Sequence, residues 1–214
     1  MSKSSSPPTL TDKTYNRGIS ELTMRESDLG EAVSKWGHPP FWVHAPGFPG
    51  MVIAILSQQV SLESAQAAFV KLENVTGSII PETFLSLDDN TLREIGFSRQ
   101  KASYVRDLAH KIRVGDFGLE DLESMDNNQA RKRLMKLRGI GPWTADTYLL
   151  FSLRRSDAWP SGDLALAKAI QELRRLDSIP SYKEVDSIAA HWRPWRAVAA
   201  RILWHFYLSE RGRS

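Results

Sequence analysis

The sequence predicts an all-α protein with a substantial apolar core. Apolar residues recur at helical spacing along almost the whole chain, and the alternating pattern of a β-strand hardly occurs. Hydrophobic residues make up 42% of the 214 residues and include 7 Trp and 8 Phe, enough to fill a core. The chain contains no Cys, which excludes disulfides, thiolate zinc sites and iron–sulfur clusters. Its length allows one large domain or two small lobes.

Each helix is predicted from a local signal. The first is a modest amphipathic helix over 20–36, which a Pro- and Gly-rich connection follows. A strongly apolar stretch over 51–72 predicts a central buried helix. Polar N-cap residues then begin three helices, at Asp88, Ser98 and Asp126. The remaining predicted helices are 81–87, 142–153 with Pro142 in the first position, 164–176, 184–191 and 195–208.

Charge is distributed unevenly along the chain. The net charge is only +3, but residues 131–155 hold seven Lys and Arg against one Asp. Such a basic block is typical of a polyanion-binding edge or of a solvated helix face. The first 14 residues are rich in Ser, Pro and Lys and contain no apolar stretch. This composition indicates no targeting peptide and predicts a disordered arm over 1–19. Pro and Gly within 36–62 exclude a membrane-spanning helix there, so we expect a soluble protein.

The most informative stretch joins two predicted helices through the turn Leu-Arg-Gly-Ile-Gly-Pro. Gly139 and Gly141 allow backbone conformations that are closed to other residues and expose their N–H groups. Together with the start of the helix at Pro142, these amides would form a site for a phosphate. An ordinary turn between helices with a Gly cap is the alternative.

Asp163 lies at the predicted start of a later helix, within the segment Trp-Pro-Ser-Gly-Asp. Its default role is to cap that helix. The helix N-terminus also favours the ionised carboxylate, so that an Asp facing a ligand would become a fixed anion.

The motifs ILSQQVS, LRGIGPWTA and WPSGDLAL, in this order, resemble the helix-hairpin-helix/Gly-Pro-Asp superfamily of base-excision DNA glycosylases, specifically its 3-methyladenine DNA glycosylase II branch. The similarity extends from about residue 28 to residue 208. The resemblance implies a two-lobed helical fold with the active-site cleft between the lobes. One lobe would be 47–154, with the helix-hairpin-helix at 134–153, and the other would pair 20–46 with 155–214.

The resemblance also implies an activity on double-stranded DNA. Such enzymes flip a damaged nucleotide out of the duplex and cleave its N-glycosidic bond. Asp163 falls on the family's essential aspartate, and Gln59 falls on the residue that wedges into the gap left by the flipped base. A Na⁺ or K⁺ ion at the hairpin would be held by the backbone carbonyls of Met135, Leu137 and Ile140.

Two departures from other branches narrow the chemistry that the resemblance implies. Bifunctional members carry a Lys directly after the hairpin, where this chain has Trp143, so we expect an abasic product without a nick. Adenine-removing members carry a Glu where this chain has Ala54. Without a general acid, the base must leave easily, as a cationic alkylated purine of the 3-methyladenine or 7-methylguanine type does.

Aromatic residues are expected to hold the flipped base. Trp143 and Trp195 match pocket positions of the family, although Trp195 also fits a helical core stripe, and Phe48 is a weaker candidate. Thr147 replaces an aromatic residue of some relatives. Gln58 would bond either to the backbone or to the base. The candidates for contacts with the DNA backbone are Lys136, Arg138, Gly139, Gly141, Thr144 and Lys168.

Two alternatives remain open at this stage. The same scaffold could act on deaminated or mispaired bases, or a helix-hairpin-helix protein could bind DNA without catalysis. We expect a monomer that requires no cofactor, because a lesion has no two-fold symmetry to match. The site of action would be the nucleoid of a prokaryote or the nucleus of a eukaryote.

Overall fold

The computed structural model describes residues 7–212, and these form twelve α-helices. The only β-type pairing among them is an antiparallel bridge between Thr9 and Arg155. None of the helices in this range has the length and apolar character that crossing a membrane requires. In chain order the helices are α1 Asp12–Arg25, α2 Ser27–Trp36, α3 Phe48–Leu56, α4 Leu62–Thr76, α5 Pro81–Leu85, α6 Asp89–Ile95, α7 Arg99–Arg113, α8 Asn127–Leu134, α9 Pro142–Phe151, α10 Leu164–Arg174, α11 Tyr182–Ala190 and α12 Arg196–Ser209.

The chain divides into two compact units. Among the described residues, the first unit contains His44–Leu153, to which Pro7 also belongs, and the second contains Pro8–Val43 and residues 154–212. These limits lie near the predicted ones at 46/47 and 154/155. The all-α class is confirmed, and the predicted N-caps Asp88, Ser98 and Asp126 each accept a hydrogen bond from a backbone N–H of the first turn.

The predicted disordered arm is wrong for residues 7–19, while residues 1–6 lie outside the described part of the chain. Thr11 and Thr14 form a reciprocal capping box that begins α1. One face of α1 then buries Tyr15, Ile19 and Leu22. The Ser- and Pro-rich composition of residues 1–14 does not extend to this apolar stripe, and burial of the stripe orders the segment. The predicted helix 20–36 is therefore two helices, separated at Glu26, whose backbone is extended.

The predicted central helix over 51–72 is also divided in two. α3 ends at Leu56, and Gln59 adopts a left-handed conformation with φ 57°, which ends the helical path. Ser61 then caps α4 by accepting a hydrogen bond from the Ser64 N–H. The apolar pattern continued through this turn, so hydrophobicity alone did not show the break.

The core of the first unit is arranged around α3. Eight of its nine residues are buried, and α4, α7 and α9 pack against it. An edge-to-face series of Phe rings extends this core, with centroids 6.2 Å apart for Phe48 and Phe84 and 5.4 Å apart for Phe84 and Phe97. Because α3 is apolar on all sides, it lies in the interior of the unit, where α4, α7 and α9 pack around it.

The second unit encloses a cation in its core. Arg201 of α12 is completely buried and donates hydrogen bonds to the carbonyls of Ala197 at 3.0 Å and Trp42 at 2.9 Å. Its guanidinium also lies 5.4 Å from the ring centroid of Phe41, which stacks on Tyr15 at 4.6 Å. Burial lowers the pKa of Arg201 to about 10, so the side chain stays charged at neutral pH.

Replacing Arg201 with Met should destabilise the protein. The change keeps much of the volume but leaves buried carbonyls without their charged donor, which costs roughly 2–4 kcal/mol of unfolding free energy. Urea denaturation followed by circular dichroism would measure it. The exposed Arg99 provides the control, because Arg99→Met should change stability by less than about 0.5 kcal/mol. Equal losses in the two variants would contradict the structural role of Arg201.

Candidate active site

The predicted hairpin is formed by α8, the turn 135–141 and α9. Gly139 has φ 78°, and Gly141 is the extended N-cap of α9, whose first residue is Pro142. The Ile140 N–H donates to the Leu137 carbonyl at 3.2 Å and closes the turn. The Gly141 backbone is exposed, so the start of α9 presents N–H groups and the positive end of a helix dipole to solvent. This arrangement suits an anion such as a phosphate.

Gln58 ties the hairpin to the end of α3. Its side-chain amide donates to the Gly139 carbonyl at 2.9 Å and to the Thr144 hydroxyl at 3.0 Å. This contact is one of the two roles predicted for Gln58, and a contact with a base stays a prediction. Thr144 is only 3% exposed. Its hydroxyl accepts from Gln58 and supports the turn from inside, and its predicted contact with the DNA backbone stays a prediction.

The residue beneath the hairpin is Tyr104 of α7. A Cβ atom at Gly139 would overlap the Tyr104 ring, so only glycine fits there. The Arg138 guanidinium lies 5.7 Å from the centroid of the same ring. In contrast, a Cβ at Gly141 would meet no atom within 4 Å. The hairpin is thus tightly packed on its inner side and open on its outer side.

Several cations of the basic block are committed to the protein itself. The Arg131 Nε atom lies 3.2 Å from Oδ2 of Asp146, a pair that braces α8 against α9. Arg133 pairs with Asp121 at 2.6 Å, and Arg155 is 2% exposed. The exposed side chains near the turn are Lys132, Lys136 and Arg138. The block is therefore less basic at its surface than the sequence suggested.

The other candidates in this unit occupy different places. Gln59 is exposed on the strained turn after α3, and Trp143 is half-buried in the first turn of α9. Phe48 is 6% exposed at the opposite end of α3. At 1.5 Å per residue, the nine residues of α3 span about 13 Å between Phe48 and the turn that contains Gln58. Phe48 lines a cavity of about 270 Å³ there, and the structure does not bring it to the hairpin. Thr147 is buried and donates to the Thr144 carbonyl.

In the second unit, Asp163 is the N-cap of α10, as predicted. Its Oδ1 atom accepts a hydrogen bond from the Leu166 N–H at 2.9 Å. The indole N–H of Trp204 also approaches Oδ1, at 3.4 Å. Asp163 as a whole is half-buried, and these two contacts hold its carboxylate in place. Trp204 was missed by sequence reasoning, since it is 41 residues from Asp163 and no local pattern links them.

Trp195 serves a packing role within its unit. Its indole N–H donates to Glu21 at 2.6 Å, and its ring lies 3.0 Å from where a Cβ of Gly18 would be. This contact fits the predicted core stripe, and a place in a base pocket stays a prediction. Lys168 lies half-buried on α10.

Among residues 7–212 no group of three or more His, Asp or Glu side chains could hold a metal ion. The predicted monovalent ion requires only backbone carbonyls and stays a prediction. The turn bonds leave room for it, because the Leu137 carbonyl uses one lone pair for the Ile140 N–H.

Comparison with known proteins gives a consistent result. Residues 52–194 match the family described as HhH-GPD superfamily base excision DNA repair protein. The Bacillus subtilis protein YfjP is 36% identical over 124 residues, which cover 58% of this chain and 43% of YfjP. The DNA-3-methyladenine glycosylase 1 of Schizosaccharomyces pombe is 30% identical over 158 residues, which cover 72% of this chain and 69% of that protein.

Solved structures resemble the chain over nearly its whole length. The 3-methyladenine DNA glycosylase of S. pombe in complex with abasic DNA has a TM-score of 0.81 and 25% identity, covering 91% of this chain and 97% of the other. A DNA-3-methyladenine glycosidase from Bacillus halodurans has a TM-score of 0.74 and 25% identity, covering 94% of this chain and 93% of the other.

The two hairpin glycines should respond differently to the same substitution. Gly139→Ala places a Cβ against Tyr104 in a left-handed backbone, and we expect it to lower the unfolding free energy by about 2–4 kcal/mol. Gly141→Ala meets open space at φ −90°, so we expect a change below about 0.5 kcal/mol. Denaturant unfolding of both variants tests this, and similar stabilities would refute the packing described for Gly139.

Proposed function

We propose that this chain, which belongs to the HhH-GPD superfamily of base excision DNA repair proteins, is a DNA glycosylase for alkylated bases. It would release bases of the 3-methyladenine and 7-methylguanine type from double-stranded DNA and leave an abasic site. The observation that carries the proposal is the Asp163 carboxylate, fixed at the N-terminus of α10 beside the Trp204 indole. The names of the sequence relatives support the substrate class.

Asp163 would act by electrostatic stabilisation. As the N-glycosidic bond breaks, its electron pair moves to the base and the sugar becomes an oxocarbenium cation. A carboxylate about 4 Å from that cation, at an effective dielectric near 20, contributes on the order of 4 kcal/mol. This corresponds to roughly a thousandfold in rate. Water then adds to the sugar carbon and loses a proton, which completes the hydrolysis.

The size of this contribution favours a base that leaves readily. Alkylation at N3 or N7 gives a purine a positive charge, and the departing electron pair neutralises it without a proton donor. A normal purine lacks this advantage, so the chemistry itself supplies part of the selectivity. Trp204 supports the same substrate class, because an electron-rich indole attracts a cationic base by roughly 0.5–2 kcal/mol. Trp143 and Trp195 are further candidates for contacts with the base.

The hairpin would bind the DNA backbone. Its support comes from the exposed start of α9 and from Lys136 and Arg138, which are exposed beside it. Phosphate oxygens would accept from the N–H groups of Gly139 and Gly141, with a monovalent ion held by the carbonyls of Met135, Leu137 and Ile140. Lys168 would add a phosphate contact from its own unit. Gln59, exposed on its turn, would fill the gap left by the flipped base.

The remaining features concern the mode of action. Trp143 occupies the position where bifunctional relatives carry a Lys, and an indole cannot form a Schiff base. The enzyme would therefore hydrolyse the glycosidic bond without cutting the strand. Because the sequence has no Cys, it holds no iron–sulfur cluster, and the proposed chemistry uses no cofactor. We propose that it works as a monomer on chromosomal DNA.

Asp163→Asn tests the catalytic role. The amide keeps an oxygen that can cap α10 but loses the charge, so we expect release of methylated purines to fall about a thousandfold. Binding to the damaged duplex should be retained. Chromatography of bases released from methylated DNA measures the first quantity, and gel retardation measures the second. Unchanged base release in the variant would refute the assignment.

The absence of strand cleavage is tested separately. Products from an end-labelled methylated duplex should show breaks only after alkali treatment. Borohydride should trap no covalent enzyme–DNA adduct, because no amine attacks the sugar. A nick before alkali, or a trapped adduct that depends on enzyme concentration, would contradict the monofunctional mechanism.

A further inference from the structure

The segment that delivers Asp163 is a tight, partly exposed loop over 159–163. The Ser161 N–H donates to the Trp159 carbonyl at 2.9 Å, and the Asp163 N–H donates to the Pro160 carbonyl at 3.3 Å. Gly162 has φ 85°, and a Cβ there would meet no atom within 4 Å. The tip of the loop is therefore not fixed by packing around Gly162. Its position must depend on contacts made by its neighbours.

A single carboxylate makes two such contacts. Asp186 of α11 accepts a hydrogen bond from the Trp159 indole N–H on Oδ1 at 2.9 Å. It accepts a second from the Ser161 hydroxyl on Oδ2 at 2.7 Å. Hydrogen bonds to an ionised acceptor are shorter and stronger than neutral ones. Asp186 thus bridges the start of the loop and the residue two positions before Asp163.

One of the two donors to Asp186, Trp159, lies in the core. Trp159 is 5% exposed and packs edge-to-face on the completely buried Trp192, with ring centroids 5.6 Å apart. Asp186 connects this buried indole to the partly exposed Ser161. The other carboxylate of α11, Glu184, instead bonds to Ser181 at the start of its own helix. The two acids of α11 therefore have separate tasks, one directed to the loop and one to the helix.

We infer that Asp186 is a positioning residue that fixes Asp163 through the Trp159–Ser161 loop. The inference rests on the proposed function, because it concerns where the Asp163 carboxylate stands relative to a developing cation. The cap bond to Leu166 would persist without Asp186, so the variant would keep α10 but allow the carboxylate to shift. Electrostatic stabilisation falls quickly with such a shift, and a misplacement near 1 Å can cost about a hundredfold in rate.

The first experiment measures base release from a duplex that contains one 7-methylguanine, under single-turnover conditions. Asp186→Ala should lower the rate of base release at saturating enzyme about 10- to 100-fold. The enzyme concentration that gives half of this rate should change less than about twofold. Asp186→Asn should restore most of the rate, because its amide can accept from Trp159 and donate to the Ser161 oxygen. Glu184→Ala is the matched control on the same helix and should keep the wild-type rate.

A second experiment tests the position of the Asp163 carboxylate through binding affinity, without catalysis. Duplexes carry either a cationic pyrrolidine or an uncharged tetrahydrofuran in place of the target sugar. The wild-type protein should prefer the cationic duplex, because it resembles the transition state. Asp186→Ala should lose about tenfold of its affinity for that duplex and none for the uncharged one. A structural defect alone would weaken both equally.

The outcomes separate the inference from the proposed function. If wild-type protein releases no base and shows no cationic preference, the proposed function fails. The other case is a wild-type protein that releases base and prefers the cationic duplex. If Asp186→Ala then matches the wild type, or loses affinity for both duplexes equally, only the positioning role is overturned.

Discussion

In the first unit, the hydrogen bonds of the Gln58 amide hold the hairpin against the end of α3. They connect the end of the buried helix α3 to the Gly139 carbonyl and the Thr144 hydroxyl, at the two sides of the hairpin turn. Removing an amide from water costs free energy unless it finds hydrogen-bond partners, and the turn supplies the partners for the part-buried Gln58 amide. A second contact fixes the same end of α3. The Lys101 side chain donates to the Leu56 carbonyl at 2.7 Å, two residues before Gln58.

The second unit holds two charged side chains in place, the buried Arg201 and the half-buried Asp163. Arg201 is surrounded by carbonyls and aromatic rings. Asp163 is held by a helix N-terminus and an indole. In both cases, neutral dipoles of the protein contribute to holding a charged group in place.

Local signals in the sequence predicted most helices and the hairpin, because capping residues and apolar spacing act within a few positions of the chain. They failed where a local pattern was continuous but the backbone was not, as at Gln59. They also failed where contacts join distant positions. Neither the approach of Trp204 to Asp163 nor the bridge from Asp186 to Ser161 has a local signature. The basic block was overestimated for the same reason, since the partners of Arg131 and Arg133 are set by tertiary packing.

The open outer side of the hairpin has an evolutionary consequence. The donors that we propose for an anion there are backbone N–H groups, which only a substitution by proline would remove. Mutations at the outward positions of the turn can therefore accumulate with little effect on the donors, provided that Gly139 keeps its conformation over Tyr104. Selection on the turn backbone should act on shape, whereas selection on Lys136 and Arg138 should act on charge. A lineage could thus vary the surface of the hairpin widely while retaining the backbone donors that the proposed phosphate contacts need.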